Sequence, residues 1–105
     1  MDKQHWNPGS LLELSGYYWK TCVLHSAVKL DIFTTIGDDA ITGKTIAEKI
    51  GADTDAADRL LNALVAMGLL AKKDDTFFNV ESAGRFLRKD SKTYLGYMIL
   101  HRLRN

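Results

Sequence analysis

Leu11, Leu14, Tyr18 and Cys22 recur at helical spacing, and Leu12, Trp19 and Val23 form a second apolar row beside them. Glu13 and Lys20 hold the opposite pole, so the apolar arc is wider than a helix needs to cover one core. Such an arc, with three consecutive aromatics at Tyr17, Tyr18 and Trp19, predicts a helix that packs against another chain. Burial of both rows inside one core is the alternative reading of the same pattern. Asn7-Pro8-Gly9 reads as a turn ahead of this helix, with Ser10 as its N-cap and Leu11 as its first residue.

The next apolar set is Ala27, Leu30, Ile32, Phe33 and Ile36, stopping at Gly37; it either continues the first helix or follows a kink. Asp38-Asp39 marks a turn. Thr42 is placed to cap a helix carrying Ile46, Ala47 and Ile50, with Gly51 as its stop. Asp53 or Thr54 opens another, whose stripe is Ala57, Leu60, Leu61, Leu64 and Val65 and whose stop is Gly68. The period then changes to two short strand-like runs, 69–73 and 76–80, around the turn pair Asp74-Asp75. Ser82 is expected to cap a short helix with Phe86 and Leu87, and Ser91 a last one carrying Tyr94, Leu95, Met98 and Ile99. The predicted fold is mostly α: a winged helix-turn-helix with a small β-hairpin wing, an extra N-terminal helix and C-terminal helices.

With 105 residues, the chain has the length of one small domain with one core. Its apolar runs are too short for a membrane span, and no leader-like segment opens the sequence, so a cytoplasmic protein is expected. The single cysteine, Cys22, excludes an internal disulfide and reads as a small buried hydrophobe on the apolar row. The eight glycines are dispersed, no two closer than six residues, so no phosphate-cradling loop is present. His5, His25 and His101 are far apart and Cys22 has no cysteine partner, which predicts no metal site.

Formal net charge is +1, unevenly placed. Residues 1–81 hold 8 basic and 12 acidic side chains (net −4), whereas residues 82–105 hold 6 basic and only Asp90 (net +5). A winged helix commonly lays its second helix in the DNA major groove, which requires a basic outward face. Here that face offers Asp55, Asp58, Arg59, Asn62 and Ala66, a net of −1, and the wing's Lys72 and Lys73 are offset by Asp74 and Asp75. Nucleic acid is therefore not the expected partner. A DNA-binding transcription regulator, using Arg85, Arg88, Lys89, Lys92, Arg102 and Arg104, is the competing reading.

Three segments carry a family resemblance: Ala27-Val28-Lys29-Leu30-Asp31-Ile32-Phe33, Thr45-Ile46-Ala47-Glu48-Lys49-Ile50-Gly51, and Arg59-Leu60-Leu61 running to Met67-Gly68-Leu69-Leu70. In this order they resemble the N-terminal winged-helix dimerisation domain of S-adenosylmethionine-dependent small-molecule O-methyltransferases, over nearly the whole chain from about Leu11. The resemblance implies a homodimer whose front helix intertwines with its partner, with Leu11, Leu12, Leu14, Tyr18, Trp19, Cys22 and Val23 as candidate interface residues. It implies a layout of a 1–10 arm, a dimerisation domain over 11–90, and 91–105 as the start of a helix leading to a catalytic domain. That later domain would bind S-adenosylmethionine and hold the catalytic base, so no catalytic or donor-binding residue is assigned here and the chain alone is expected to be inactive.

Side chains from the front and last helices of the family often line the acceptor pocket. Tyr17, Tyr18, Tyr97, Met98 and His101 are the matching candidates, suited to a small aromatic or ring-containing acceptor. Each also has a plainer reading. Tyr17 and Tyr18 suit a dimer core, Met98 lies on the apolar stripe of its helix as a core residue would, and His101 is not the base. The family also includes members that methylate nitrogen or carbon.

Overall fold

The computed structural model describes residues 8–104, and side chains over 19–101. Helix α1 (Pro8–Lys29) is followed by α2 (Ile32–Ile36), the two-residue strand β1 (Ile41–Thr42), α3 (Gly43–Ile50) and α4 (Thr54–Ala66). The wing is β2 (Leu70–Lys73) and β3 (Thr76–Asn79); α5 (Glu81–Leu87) and α6 (Gly96–Arg104) complete the order. The winged helix-turn-helix with added helices at both ends is the expected architecture.

Local chemistry explains most boundaries. The Thr42 hydroxyl accepts from the Thr45 amide at 3.2 Å and the Asp53 carboxylate from the Ala56 amide at 3.1 Å, so both helices of the turn carry side-chain N-caps. Gly51 ends α3 with φ +70°, a left-handed conformation that glycine adopts without a Cβ clash. Between α1 and α2 the chain breaks at Asp31, with φ 59° and ψ 35°, which answers the question the pattern left open: residues 26–29 continue α1 and a sharp break comes after them.

Other expectations are corrected. Helix α1 starts at Pro8, not Leu11, so Ser10 lies inside it; a proline at the first helical position has the right fixed φ and lacks only an amide that would be unpaired there. Ser82 does not cap α5. Val80, whose amide donates to the Leu69 carbonyl at 3.3 Å, occupies the cap position, and its own carbonyl receives the Gly84 amide. Ser91 does not open α6 either. Its hydroxyl and that of Thr93 both donate to the Arg85 carbonyl, closing the C-terminal end of α5. Tyr94 and Leu95 thus precede the last helix rather than belong to it.

The sheet is antiparallel in the order β1-β3-β2, with Ile41 opposite Phe77 and Leu70 opposite Asn79. The sequence pattern missed β1 because two residues cannot display an alternation. Around one core the chain buries Val23, Ala27 and Val28 of α1, Ile32, Phe33 and Ile36 of α2, Ile46 of α3, Leu61 and Leu64 of α4, and Leu70 and Phe77 of the wing. Asn79 ties the wing to α2: its amide nitrogen donates to the Phe33 and Gly37 carbonyls, each at 2.9 Å. Asn79→Ala should cost about 1–2 kcal/mol, since the Gly37 carbonyl loses its donor while the unpaired, buried Asn79 Oδ1 also disappears. Urea unfolding monitored by circular dichroism reads this directly, and an unchanged midpoint would contradict it.

Candidate functional site

The outward face of α4 is as acidic in space as in sequence. Asp55, Arg59, Asn62 and Ala66 are exposed and Asp58 is half-buried, its carboxylate lying so close to Gly43 that no Cβ fits there without displacing it. Lys72 stays exposed and lies across the wing, its Nζ 5.0 Å from the centre of the Phe77 ring and 3.4 Å from the Asn62 side-chain oxygen. Three of the C-terminal basic residues, Arg85, Arg88 and Lys89, are engaged with carboxylates. Arg88 bridges Asp38 and Asp90, Lys89 reaches Asp31 at 3.0 Å, and Arg85 pairs with Glu81. Hydrogen bonding to Asp90 and Asp38 raises the pKa of Arg88, the bond from Arg88 lowers that of Asp90, and the bond to Asp31 raises that of Lys89. These pairs strap residues 88–90 across both ends of α2.

Lys20 stands two turns before Ala27 on the same side of the helix, yet Ala27 is fully buried and Lys20 is exposed. Among the described side chains, Val23 is the first of α1 to enter the core, buried within its own chain. Trp19 is 47% exposed and Cys22 is exposed, correcting the expectation of a buried thiol: Cys22 faces away from the side that buries Val23 and Ala27. The other front-helix candidates, Leu11, Leu12, Leu14, Tyr17 and Tyr18, lie outside the described side chains.

Helix α6 packs along α1, which brings the last-helix candidates beside the front helix. Tyr97 is 70% and Met98 61% exposed, and His101 is exposed as well. Met98 as a core residue is thereby corrected. Ile99 and Leu100 pack against the core instead, because α6 starts at Gly96 and its contact with the domain sets which side is covered. The Tyr94 and Tyr97 rings meet edge to face at 5.0 Å. The Tyr94 ring lies directly against Gly96, where a Cβ would displace it, and its hydroxyl is buried without a partner. Burial raises the Tyr94 pKa.

One surface feature escaped the sequence reading. Beside the C-terminal half of α1, an apolar groove of about 310 Å³ opens toward the α3–α4 turn, lined by Ser26, Leu30, Ile50, Ala52, Ala56 and Leu60. Its only sequence signal is the run of small residues at Ala52, Ala56 and Ala57, which reads equally well as ordinary helix composition.

Gly37, Gly51 and Gly68, the glycines with positive φ among the described residues (+62°, +70° and +81°), each serve a helix end. The cleft between α2 and α5, about 400 Å³, is lined by Asp38, Asp39, Glu81, Arg85 and Arg88, four of which are engaged in the ion pairs above. No helix among the described residues is long and apolar enough to cross a membrane.

Known proteins match this chain closely. The family described as O-methyltransferase dimerisation domain matches residues 12–90. The N,N-dimethyltransferase OxyT of Streptomyces rimosus is 34% identical over 95 residues, covering 90% of this chain and 28% of that protein. The tetracenomycin polyketide synthesis 8-O-methyl transferase TcmO of Streptomyces glaucescens is 34% identical over 90 residues, covering 85% and 26%. Among solved structures, an O-methyltransferase family protein from Burkholderia thailandensis superposes with a TM-score of 0.85 at 31% identity, covering 96% of this chain and 30% of that one. The chain thus spans less than a third of the length of these relatives.

Proposed function

Since the chain belongs to the O-methyltransferase dimerisation domain family, we propose that it is the self-associating domain of an S-adenosylmethionine-dependent small-molecule methyltransferase and forms a homodimer. The observation that carries this reading is the exposure of Trp19 and Cys22 in the single chain, on a helix whose sequence places apolar and aromatic residues on most of its circumference. Helices α1 to α5 with the wing form the dimerisation unit, and α6 leads toward a catalytic domain.

The exposed side chains of α6 fit one wall of an acceptor pocket. Tyr97, Met98 and His101, with Tyr17 and Tyr18 of the front helix, would contact a small aromatic or ring-containing acceptor, and the donor would sit in the catalytic domain. Relatives named for N- and O-methylation leave both atoms available as the acceptor. The cytoplasm suits the single thiol. Against DNA binding stand the acidic face of α4 and the pairing of Arg85, Arg88 and Lys89 with carboxylates.

Sedimentation velocity should give a particle of twice the 11.8 kDa chain mass. Isothermal titration with S-adenosylmethionine should give no heat beyond dilution. A monomer at all concentrations would refute the self-association, and stoichiometric donor binding would refute the division of labour between domains.

A further inference from the structure

We propose that Lys89 is a positioning residue: it latches the strap of residues 88–95 to the end of α1 and so holds α6 along α1. Helix α6 carries Tyr97, Met98 and His101, and for their part as an acceptor wall the inference rests on the reading above.

Between Leu87, the last residue of α5, and Gly96, the first of α6, eight residues run without helix or strand. With no backbone ladder to set its direction, such a stretch is aimed by the bonds its own groups make. Its two parts are held by different elements. Ser91, Thr93 and Leu95 bond back to α5: both hydroxyls donate to the Arg85 carbonyl, and the Leu95 amide donates to the Phe86 carbonyl at 2.7 Å. Residues 88 and 89 bond instead to α2 and the turns at its ends. Arg88 donates to Asp38, beyond the C-terminal end of α2. The Lys89 amide donates to the Thr34 hydroxyl at 2.8 Å, and the Lys89 ammonium reaches Asp31 at 3.0 Å.

Asp31 closes a ring of contacts. It lies at the break where α1 gives way to α2, in a left-handed conformation that aspartate tolerates better than most residues with a side chain. Helix α6 packs along α1, with Ile99 and Leu100 against the core. The path from α1 through Asp31, Lys89, the strap and α6 therefore returns to α1, and within it the Lys89–Asp31 pair joins the strap to the end of α1. The Lys89 ammonium also interacts with the Tyr94 and Tyr97 phenols, which places it beside the residues where α6 starts. Its pair with Asp31 is part-exposed, at 45% and 38% of the two side chains, so it is a weak tie that one substitution can open.

Amide hydrogen exchange on the chain itself tests the latch, followed at Ile99, Leu100 and His101 of α6 and at Leu61 and Leu64 of the core. In the wild type the α6 amides should exchange faster than the core amides, through an opening of their own. Lys89→Met removes the charge and keeps the aliphatic stem, and it should speed α6 exchange about two- to fivefold. Adding Thr34→Val, which removes the hydroxyl that accepts the Lys89 amide, should bring the acceleration to at least about tenfold. Lys89→Arg should return α6 to wild-type rates. Asn79→Ala, which weakens the domain away from the strap, should leave the α6 rates unchanged. A pair that only stabilises the domain would stay closed while α6 opens, so Lys89→Met would then speed the core amides and not those of α6; that result overturns the proposal. So do α6 amides that exchange only at the core rate, or a Lys89→Arg chain that behaves as Lys89→Met. Exchange needs neither donor nor acceptor, and sedimentation velocity on the same samples reads association. A monomer that shows the expected exchange pattern supports the latch while refuting the homodimer.

Discussion

In the proposed homodimer, Trp19→Glu should give a monomer and leave the domain folded. Trp19 lies outside the core, with 47% of it exposed in the single chain, so its replacement disturbs the fold far less than loss of a core residue. An aromatic anchor at the centre of an interface contributes about 2–4 kcal/mol, which corresponds to a rise in dimer Kd of about 30- to 1,000-fold. The glutamate adds the cost of placing a charge against apolar residues of the partner. Sedimentation velocity over a concentration series measures the Kd, and a thermal melt at low concentration checks the fold. Unchanged association would place the interface elsewhere; a lost cooperative melt would mean that Trp19 packs within its own chain.

Phe33→Ala should do the reverse, melting the domain without touching the face that associates. Phe33 is completely buried in α2 among residues from α1, α4 and the wing. Truncating such a side chain costs about 3–5 kcal/mol, because transfer energy is lost and a close-packed site collapses only in part. Domains of this size hold about 5–15 kcal/mol in total, so the variant loses a large share of its stability. A drop in melting temperature of at least about 10 °C is expected by calorimetry. The backbone carbonyl of Phe33 keeps its bonds from Asn79 and Gly37, so the loss reports packing alone. The two aromatics, Trp19 and Phe33, thus separate association from folding.

Local signals placed the elements well. Thr42, Asp53, Gly51 and Gly68 act within one helical turn of themselves, and their readings as caps and stops hold in the structure. The acidic face of α4 was legible because Asp55, Asp58, Arg59 and Asn62 fall on the side opposite Leu61 and Leu64. Ser82 and Ser91 misled because a serine can cap either neighbour: Ser91 bonds the Arg85 carbonyl behind it, and that choice depends on how α5 ends rather than on the residues of α6. Met98 misled because its stripe assumed a helix beginning before Tyr94, while the observed α6 starts at Gly96. The groove was invisible, since Leu30 and Ala56 are brought together only by the packing of α1 against α4.

By itself the sequence determined the helix-turn-helix and wing, the acidic composition of the outward face of α4, and the wide apolar arc of the front helix. Periodicity and capping act over three or four residues, so they survive in a linear reading. Tertiary structure alone decided that Val23, Ala27 and Val28 are the described α1 side chains that enter the core, that Ile41 and Thr42 add a third strand, and that Ala56 and Leu30 share a groove. Those outcomes depend on which distant segments meet, and burial belongs to the pair of surfaces in contact rather than to either stretch of chain.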